Sequence, residues 1–179
     1  MHFLLLPFSP ADGAPGVMTN VLVVGVGNPD RGDDAVGPLV VRRLAGRVPP
    51  GVTLVERNGD VLALIDDWAD RDAVVLVDAS APGSSPGRVR RMELAGDALP
   101  TDLAPASTHA FGVAEAVGLA RALGMLPPRL VVYAVEGENF AAGAPVSCAV
   151  SEAVDEVAAR VVAELGGLRC GAAGEAVDA

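Results

Sequence analysis

The sequence contains no lysine, and all 13 of its basic residues are arginines. This absence excludes Schiff-base chemistry and the lysine of a nucleotide-binding P-loop. Aromatic residues make up 3% of the chain and hydrophobic residues 51%, so valine, leucine and alanine must build the core. The net charge of −10 argues against nucleic-acid and anionic-membrane partners, because both attract a basic surface.

Cysteine is also scarce, since Cys148 and Cys170 are the only two and lie too far apart for a CxxC motif. We expect two reduced thiols in a cytoplasmic protein. A length of 179 residues suits one domain. Residues 1–18 are predicted to be a disordered leader, residues 19–165 the domain, and residues 166–179, rich in glycine and alanine, a disordered tail.

Within the domain, short β-branched apolar runs alternate with amphipathic segments. Strands are predicted at residues 21–24, 52–55, 73–77 and 130–135, with an alternating edge strand at 88–94, and helices at 34–46, 61–68, 110–123 and 151–165. This order predicts a single three-layer α/β/α domain with a mostly parallel five-stranded sheet that includes an edge strand. In such folds the functional site lies beyond the carboxyl ends of the strands.

The loop after the first strand begins Gly25-Val26-Gly27-Asn28 and contains two adjacent aspartates, Asp33 and Asp34. It does not fit the dinucleotide fingerprint G-x-G-x-x-G, because Asp30 stands where the third glycine is needed. Its carboxylates would also repel a pyrophosphate. One aspartate suffices to cap the following helix, so we expect Asp33 to cap it and the second carboxylate to be available for chemistry.

Two further residues are candidates for the same edge of the sheet. Asp78 ends the third predicted strand, where its carboxylate either accepts hydrogen bonds from nearby backbone N–H groups or acts as a functional acid. His109, the only histidine outside the leader, comes just before the third helix. Two carboxylates and one imidazole make a plausible open site for a divalent ion such as nickel or zinc.

Three motifs together resemble the hydrogenase maturation proteases. They are the G-x-G-N-x-x-x-x-D-D-x-x-G opening, the V-D-A that contains Asp78, and the S-x-H-x-x-G-x-x-E that contains His109. The resemblance runs from about Val21 to Leu165 and includes Glu136-Gly137. It implies a nickel-dependent endopeptidase that trims the C-terminus of the large-subunit precursor of a nickel–iron hydrogenase. It further implies that Asp34, Asp78 and His109 hold the metal and carry catalysis, with nickel supplied by the substrate protein.

Other interpretations remain open from the sequence. The two carboxylates also suit a metal-free aspartic mechanism, in which one raises the pKa of the other. A non-catalytic nickel-binding maturation chaperone could use the same three ligands. A peptidyl-tRNA hydrolase would share the G-x-G-N-P loop, but this chain has neither a histidine soon after that loop nor a basic face for tRNA. A dinucleotide oxidoreductase fits least well, because of the acidic loop.

Overall fold

A computed structural model describes residues 20–94 and 110–170 of the chain. The predicted leader, residues 171–179 of the predicted tail, and His109 lie outside these residues. In the described part, strands and helices alternate in the order β1 (Val21–Val26), α1 (Val36–Leu44), β2 (Val52–Arg57), α2 (Val61–Trp68), β3 (Ala73–Ser80), β4 (Val89–Glu93), α3 (Ala110–Ala122), β5 (Arg129–Glu136) and α4 (Cys148–Cys170). A short 3-10 turn, Gly32–Ala35, leads directly into α1.

The five strands form one sheet in the order β2-β1-β3-β5-β4. Neighbouring strands are parallel except β4, which runs antiparallel to β5 at the edge. Every residue of β1 is buried, as the continuous apolar run predicts for a strand covered on both faces. The predicted fold class is therefore confirmed, and the alternating sequence forms the edge strand β4 as predicted.

Helices cover both faces of the sheet and make two cores. Residues such as Val75 and Val77 pack with α1 and α4 on one face, whereas Val74 and Leu76 pack with α2 and α3 on the other. Trp68 at the end of α2 is fully buried in the second core. Because side chains alternate along a strand, Asp78 continues the series of Val74 and Leu76 and lies on the face that α2 and α3 cover.

The first helix approaches the sheet very closely. A methyl group added at Gly37 of α1 would lie 2.2 Å from the carbonyl oxygen of Val26 and 2.6 Å from that of Val77. These are backbone atoms that a larger residue could not displace without moving the strands. Glycine at this position thus places the start of α1 directly against the carboxyl ends of β1 and β3.

Several predicted boundaries were wrong. Strands β1 and β2 each continue two residues beyond their predicted ends, and α4 begins at Cys148 rather than at residue 151. The predicted first helix is a 3-10 turn followed by α1, and β3 continues beyond Asp78 to Ser80. The last helix does not stop at Leu165, so the predicted tail does not begin at residue 166: α4 continues to Cys170, because Leu165 and Leu168 are both buried in the core. No helix in the described part of the chain is long and apolar enough to span a bilayer.

Candidate functional site

Four carboxylates are buried in the described part of the chain, and all four lie at the carboxyl edge of the sheet. Asp33 and Asp34 are in the 3-10 turn after β1, Asp78 is near the end of β3, and Glu136 is the last residue of β5. Each is at most 6% exposed. A buried carboxylate is costly unless it is well hydrogen-bonded or its charge is neutralised, so each of the four needs its own explanation.

Asp33 is fully engaged by backbone groups from a distant part of the chain. Its Oδ2 accepts hydrogen bonds from the N–H groups of Glu138 (2.8 Å) and Asn139 (3.1 Å), and its Oδ1 accepts one from Ser147 (2.7 Å). Burial alone would raise the pKa of Asp33, but these hydrogen bonds outweigh it and hold the pKa below its ordinary value of 3.8. The predicted helix-capping role is wrong. Asp33 instead ties the turn after β1 to the loop between β5 and α4.

Asp34 is enclosed by the loop that follows β1. Its Oδ2 accepts a hydrogen bond from the backbone N–H of Asn28 at 2.8 Å. Gly27 has a φ of +139°, and a methyl group there would lie 1.8 Å from the carbonyl oxygen of Asp34. The glycine-rich opening therefore serves close packing around the aspartate, since a side chain at position 27 would collide with the turn.

Asp78 differs from Asp33 in having few hydrogen bonds. Its Oδ1 accepts one from the backbone N–H of the next residue, Ala79, at 2.8 Å. Burial raises the pKa of Asp78 well above its ordinary value, and the negative charge of Asp34 raises it further. The 3-10 turn that contains Asp34 lies against β3. Asp34 and Asp78 thus form a pair in which proximity and burial favour a proton on Asp78.

Glu136 has a structural role at the same edge. Its Oε1 accepts a hydrogen bond from the backbone N–H of Ser85 at 2.6 Å, and a methyl group at Gly83 would lie 2.5 Å from that oxygen. The carboxylate therefore holds the loop between β3 and β4 against the end of β5. The sequence motif contained this residue, but only the fold shows which loop it holds.

A cleft of about 340 Å³ opens between the loop after β1 and the end of β2. It is lined by Gly27, Pro29, Pro38, Glu56, Arg57 and Asn58. Arg57 is fixed at this position because its Nε and Nη2 donate to the carboxylate of Asp67 at 2.6 and 2.7 Å. The cleft thus adjoins Gly27, which packs against Asp34, while Asp34 itself is fully buried.

The structure brings together Asp34 and Asp78, two of the three predicted site residues. The third, His109, lies outside the described residues, which resume at Ala110, the first residue of α3. Helix α3 packs beside α2 on the sheet face where Asp78 lies. Within residues 20–94 and 110–170, no three His, Cys, Asp or Glu side chains are grouped closely enough to hold a metal ion.

A model of the hydrogenase maturation protease family matches residues 38–164. The chain belongs to this family. The matched region contains Asp78 and position 109, and begins four residues after Asp34. Membership agrees with the resemblance that the three sequence motifs carry.

Curated relatives and a solved structure point the same way. The chain is 30% identical over 116 residues to the hydrogenase expression/formation protein HupD of Bradyrhizobium diazoefficiens; the match covers 63% of this chain but only 59% of that relative. It is 28% identical over 127 residues to the hydrogenase 2 maturation protease of Escherichia coli, covering 67% of this chain and 74% of the relative. The solved structure of hydrogenase maturating endopeptidase HybD from E. coli superposes with a TM-score of 0.66, covering 82% of this chain and 92% of that one. At 24% identity this likeness supports the fold.

Proposed function

We propose that the protein is an endopeptidase that removes the C-terminal extension of a nickel–iron hydrogenase large-subunit precursor after nickel insertion. The observation that carries this proposal is the placement of Asp34 and Asp78 together at the carboxyl edge of the sheet, in a chain of the hydrogenase maturation protease family. Asp78 has no arginine partner in the described ion pairs, although arginines neutralise many acids elsewhere in the molecule.

The donor types at this edge suit a borderline divalent ion. Two carboxylates that repel each other gain from a cation between them, and an imidazole from His109 would complete a three-ligand set with open positions. In the proposal this ion is the nickel already bound in the substrate precursor. When present, it supplies polarisation of the nearby scissile carbonyl or activation of a water.

The two aspartates supply different proton chemistry. Without the ion, Asp78 is the carboxyl that burial and the charge of Asp34 favour in the protonated form, so in a metal-free aspartic mechanism it can donate a proton. Asp34, bonded to Asn28 through Oδ2, can accept one from an attacking water. A pair of acids whose environments separate their pKa values is the usual basis for assigning acid and base roles. Asp33 takes no part, because its oxygens are bonded to three backbone N–H groups.

The test mixes chelator-treated protein with nickel-loaded and nickel-free precursor and follows the mobility of the precursor on a gel. We expect cleavage of the nickel-loaded precursor and none of the nickel-free precursor. Equal cleavage of both would contradict nickel dependence and favour the metal-free aspartic mechanism. Cleavage of neither, restored by zinc added to the protein, would indicate an ordinary metalloprotease.

A different result would favour the alternative function, a non-catalytic nickel-binding maturation chaperone. If the protein forms a stable complex with the nickel-loaded precursor but never shortens it, under any metal condition, endopeptidase activity is excluded. The variant Asp78→Asn serves as the matched control for cleavage, because it keeps the size and shape of the side chain but cannot share a proton with Asp34. Cleavage by this variant at the wild-type rate would remove Asp78 from the mechanism.

A further inference from the structure

The edge strand β4 places an arginine in line with Asp78. Arg90 lies opposite Ala134 of β5, and Ala134 lies opposite Asp78 of β3. Directly paired residues project to the same face of a sheet. The neighbouring pair Met92 and Val132 packs in the α2/α3 core, which fixes that face for the whole row. Asp78, Ala134 and Arg90 therefore form one row across three strands, on one face.

The middle residue of this row, Ala134, has a small side chain. Adjacent strands lie about 4.8 Å apart, so the backbone of Arg90 is about 10 Å from that of Asp78. The residue between them, Ala134, contributes only a methyl group and is half-buried in a strand whose other central residues are fully covered. Arg90 itself is exposed. A peptide lying over Ala134 would thus have Asp78 on one side and a guanidinium on the other.

Arg90, on the row of Asp78, has no hydrogen-bonding or ion-pair partner in the part of the chain that the structure describes. The next residue, Arg91, projects to the opposite face and binds Glu164 and Glu93 at 2.7 to 2.9 Å. Many other arginines in the described part have acidic partners as well: Arg42, Arg43, Arg57, Arg129 and Arg160. In a protein with a net charge of −10, a guanidinium that has no partner among the described residues and shares a row with a buried acid is a candidate to bind an anion from outside.

We propose that Arg90 positions the substrate by binding a carboxylate of the precursor polypeptide, either an acidic side chain near the cleavage point or the terminal carboxylate of the extension. The inference rests on the proposed endopeptidase function and specifies how that site holds its substrate. Arginine suits this task, because its planar fork of N–H donors matches a carboxylate in a bidentate arrangement. Arg90 is roughly 10 Å from Asp78, where the proposal places the scissile bond. The anchoring carboxylate would therefore lie about three residues of extended chain from that bond.

The experiment measures kcat and KM for cleavage of nickel-loaded precursor by the wild type and by Arg90→Ala, Arg90→Lys and Arg47→Ala. We expect Arg90→Ala to lower kcat/KM about tenfold or more, mainly through KM, as loss of a charge-assisted hydrogen bond requires. Arg90→Lys should recover part of the loss. Arg47→Ala is the matched control, since Arg47 is exposed and follows α1 at the other end of the sheet; it should leave both constants unchanged.

Two altered precursors identify the source of the carboxylate. One carries amides in place of the acidic side chains near the cleavage point, and the other ends in a carboxamide. With one of them the difference between wild type and Arg90→Ala should disappear. This inference alone would be overturned if Arg90→Ala had the same kcat/KM as the wild type. It would also be overturned if the loss of kcat/KM in Arg90→Ala persisted with both altered precursors. Absence of cleavage by the wild type would overturn the proposed function as well.

Discussion

Two acidic groups in this molecule have opposite surroundings. Glu164 of α4 accepts hydrogen bonds from Arg91 at 2.7 and 2.9 Å and from the hydroxyl of Tyr133 at 3.1 Å. The hydrogen bonds from Arg91, above all, hold the pKa of Glu164 below its ordinary value, against the effect of burial. At the carboxyl edge, burial and a second carboxylate raise the pKa of Asp78. The same functional group is thus stabilised as an anion at one place and destabilised at the other.

The difference separates acids that hold the fold together from acids that are available for chemistry. Glu164 joins α4 to β4 and β5, so its charge contributes to stability. Asp78 has no such compensation in the described ion pairs, and a buried carboxyl of this kind is retained at a cost that function can explain. Asp33 belongs with Glu164 despite lying next to Asp34, because three backbone N–H groups compensate its charge.

The largest effect is expected from Gly37→Ala, which would disrupt the geometry of the carboxyl edge. The added methyl group would overlap the carbonyl oxygens of Val26 and Val77, so α1 must move away from the strands. We expect a loss of about 3 kcal/mol or more in the free energy of unfolding, measured by urea denaturation.

The matched control is Gly118→Ala in α3, where a methyl group meets nothing within 4 Å. It should stabilise by up to about 1 kcal/mol through helix propensity. Equal effects of the two substitutions would contradict the close approach.

A smaller loss is expected from Asp33→Asn. The amide keeps one acceptor oxygen but places an NH₂ against a backbone N–H, so at least one of the three hydrogen bonds is lost in a buried place. We expect about 2–3 kcal/mol less stability at pH 7 in urea denaturation, with cleavage retained at temperatures where the variant is folded. If Asp33→Asn were fully stable but inactive, Asp33 rather than Asp34 would be the site residue.

The smallest effects on the free energy of unfolding are expected from removing the charges of Glu164 and Asp78, and the two effects should have opposite signs. Glu164→Gln should lower the free energy of unfolding by about 1–2 kcal/mol at pH 7. Because the folded-state pKa of Glu164 is depressed, its contribution is present above the ordinary value of 4.5 and is lost as the pH falls through the folded-state value. The deficit of the variant should therefore shrink in acid.

Asp78→Asn should behave the other way. The pKa of Asp78 is raised on folding, so ionisation destabilises the folded state as the pH rises above the ordinary value of 3.8. The variant should be at least as stable as the wild type at pH 7, and its advantage should fade towards pH 3.8. Urea denaturation at a series of pH values checks both variants. Parallel pH profiles for the two would mean that the acids have similar surroundings after all.

Much of this architecture could be predicted from local sequence patterns. Continuous apolar runs indicated the buried strands, alternation indicated β4, and the strand–helix order indicated a parallel sheet whose carboxyl edge carries Asp34 and Asp78. The role of Asp33 could not be predicted, because its partners Glu138, Asn139 and Ser147 lie more than 100 residues away. The end of α4 was missed because Gly166 and Gly167 have low helix propensity, which the burial of Leu168 overrides.

The central claim is that the buried pair Asp34 and Asp78 at the carboxyl edge carries the chemistry, and one assay tests it most directly. Cleavage of nickel-loaded precursor is measured for Asp34→Asn, Asp78→Asn and Glu164→Gln, with thermal unfolding of each variant recorded alongside. We predict that the first two lose about a hundredfold or more of activity while remaining folded, as expected for loss of proton transfer, and that Glu164→Gln cleaves at nearly the wild-type rate despite its lower stability. Near-normal cleavage by folded Asp34→Asn or Asp78→Asn would contradict the account.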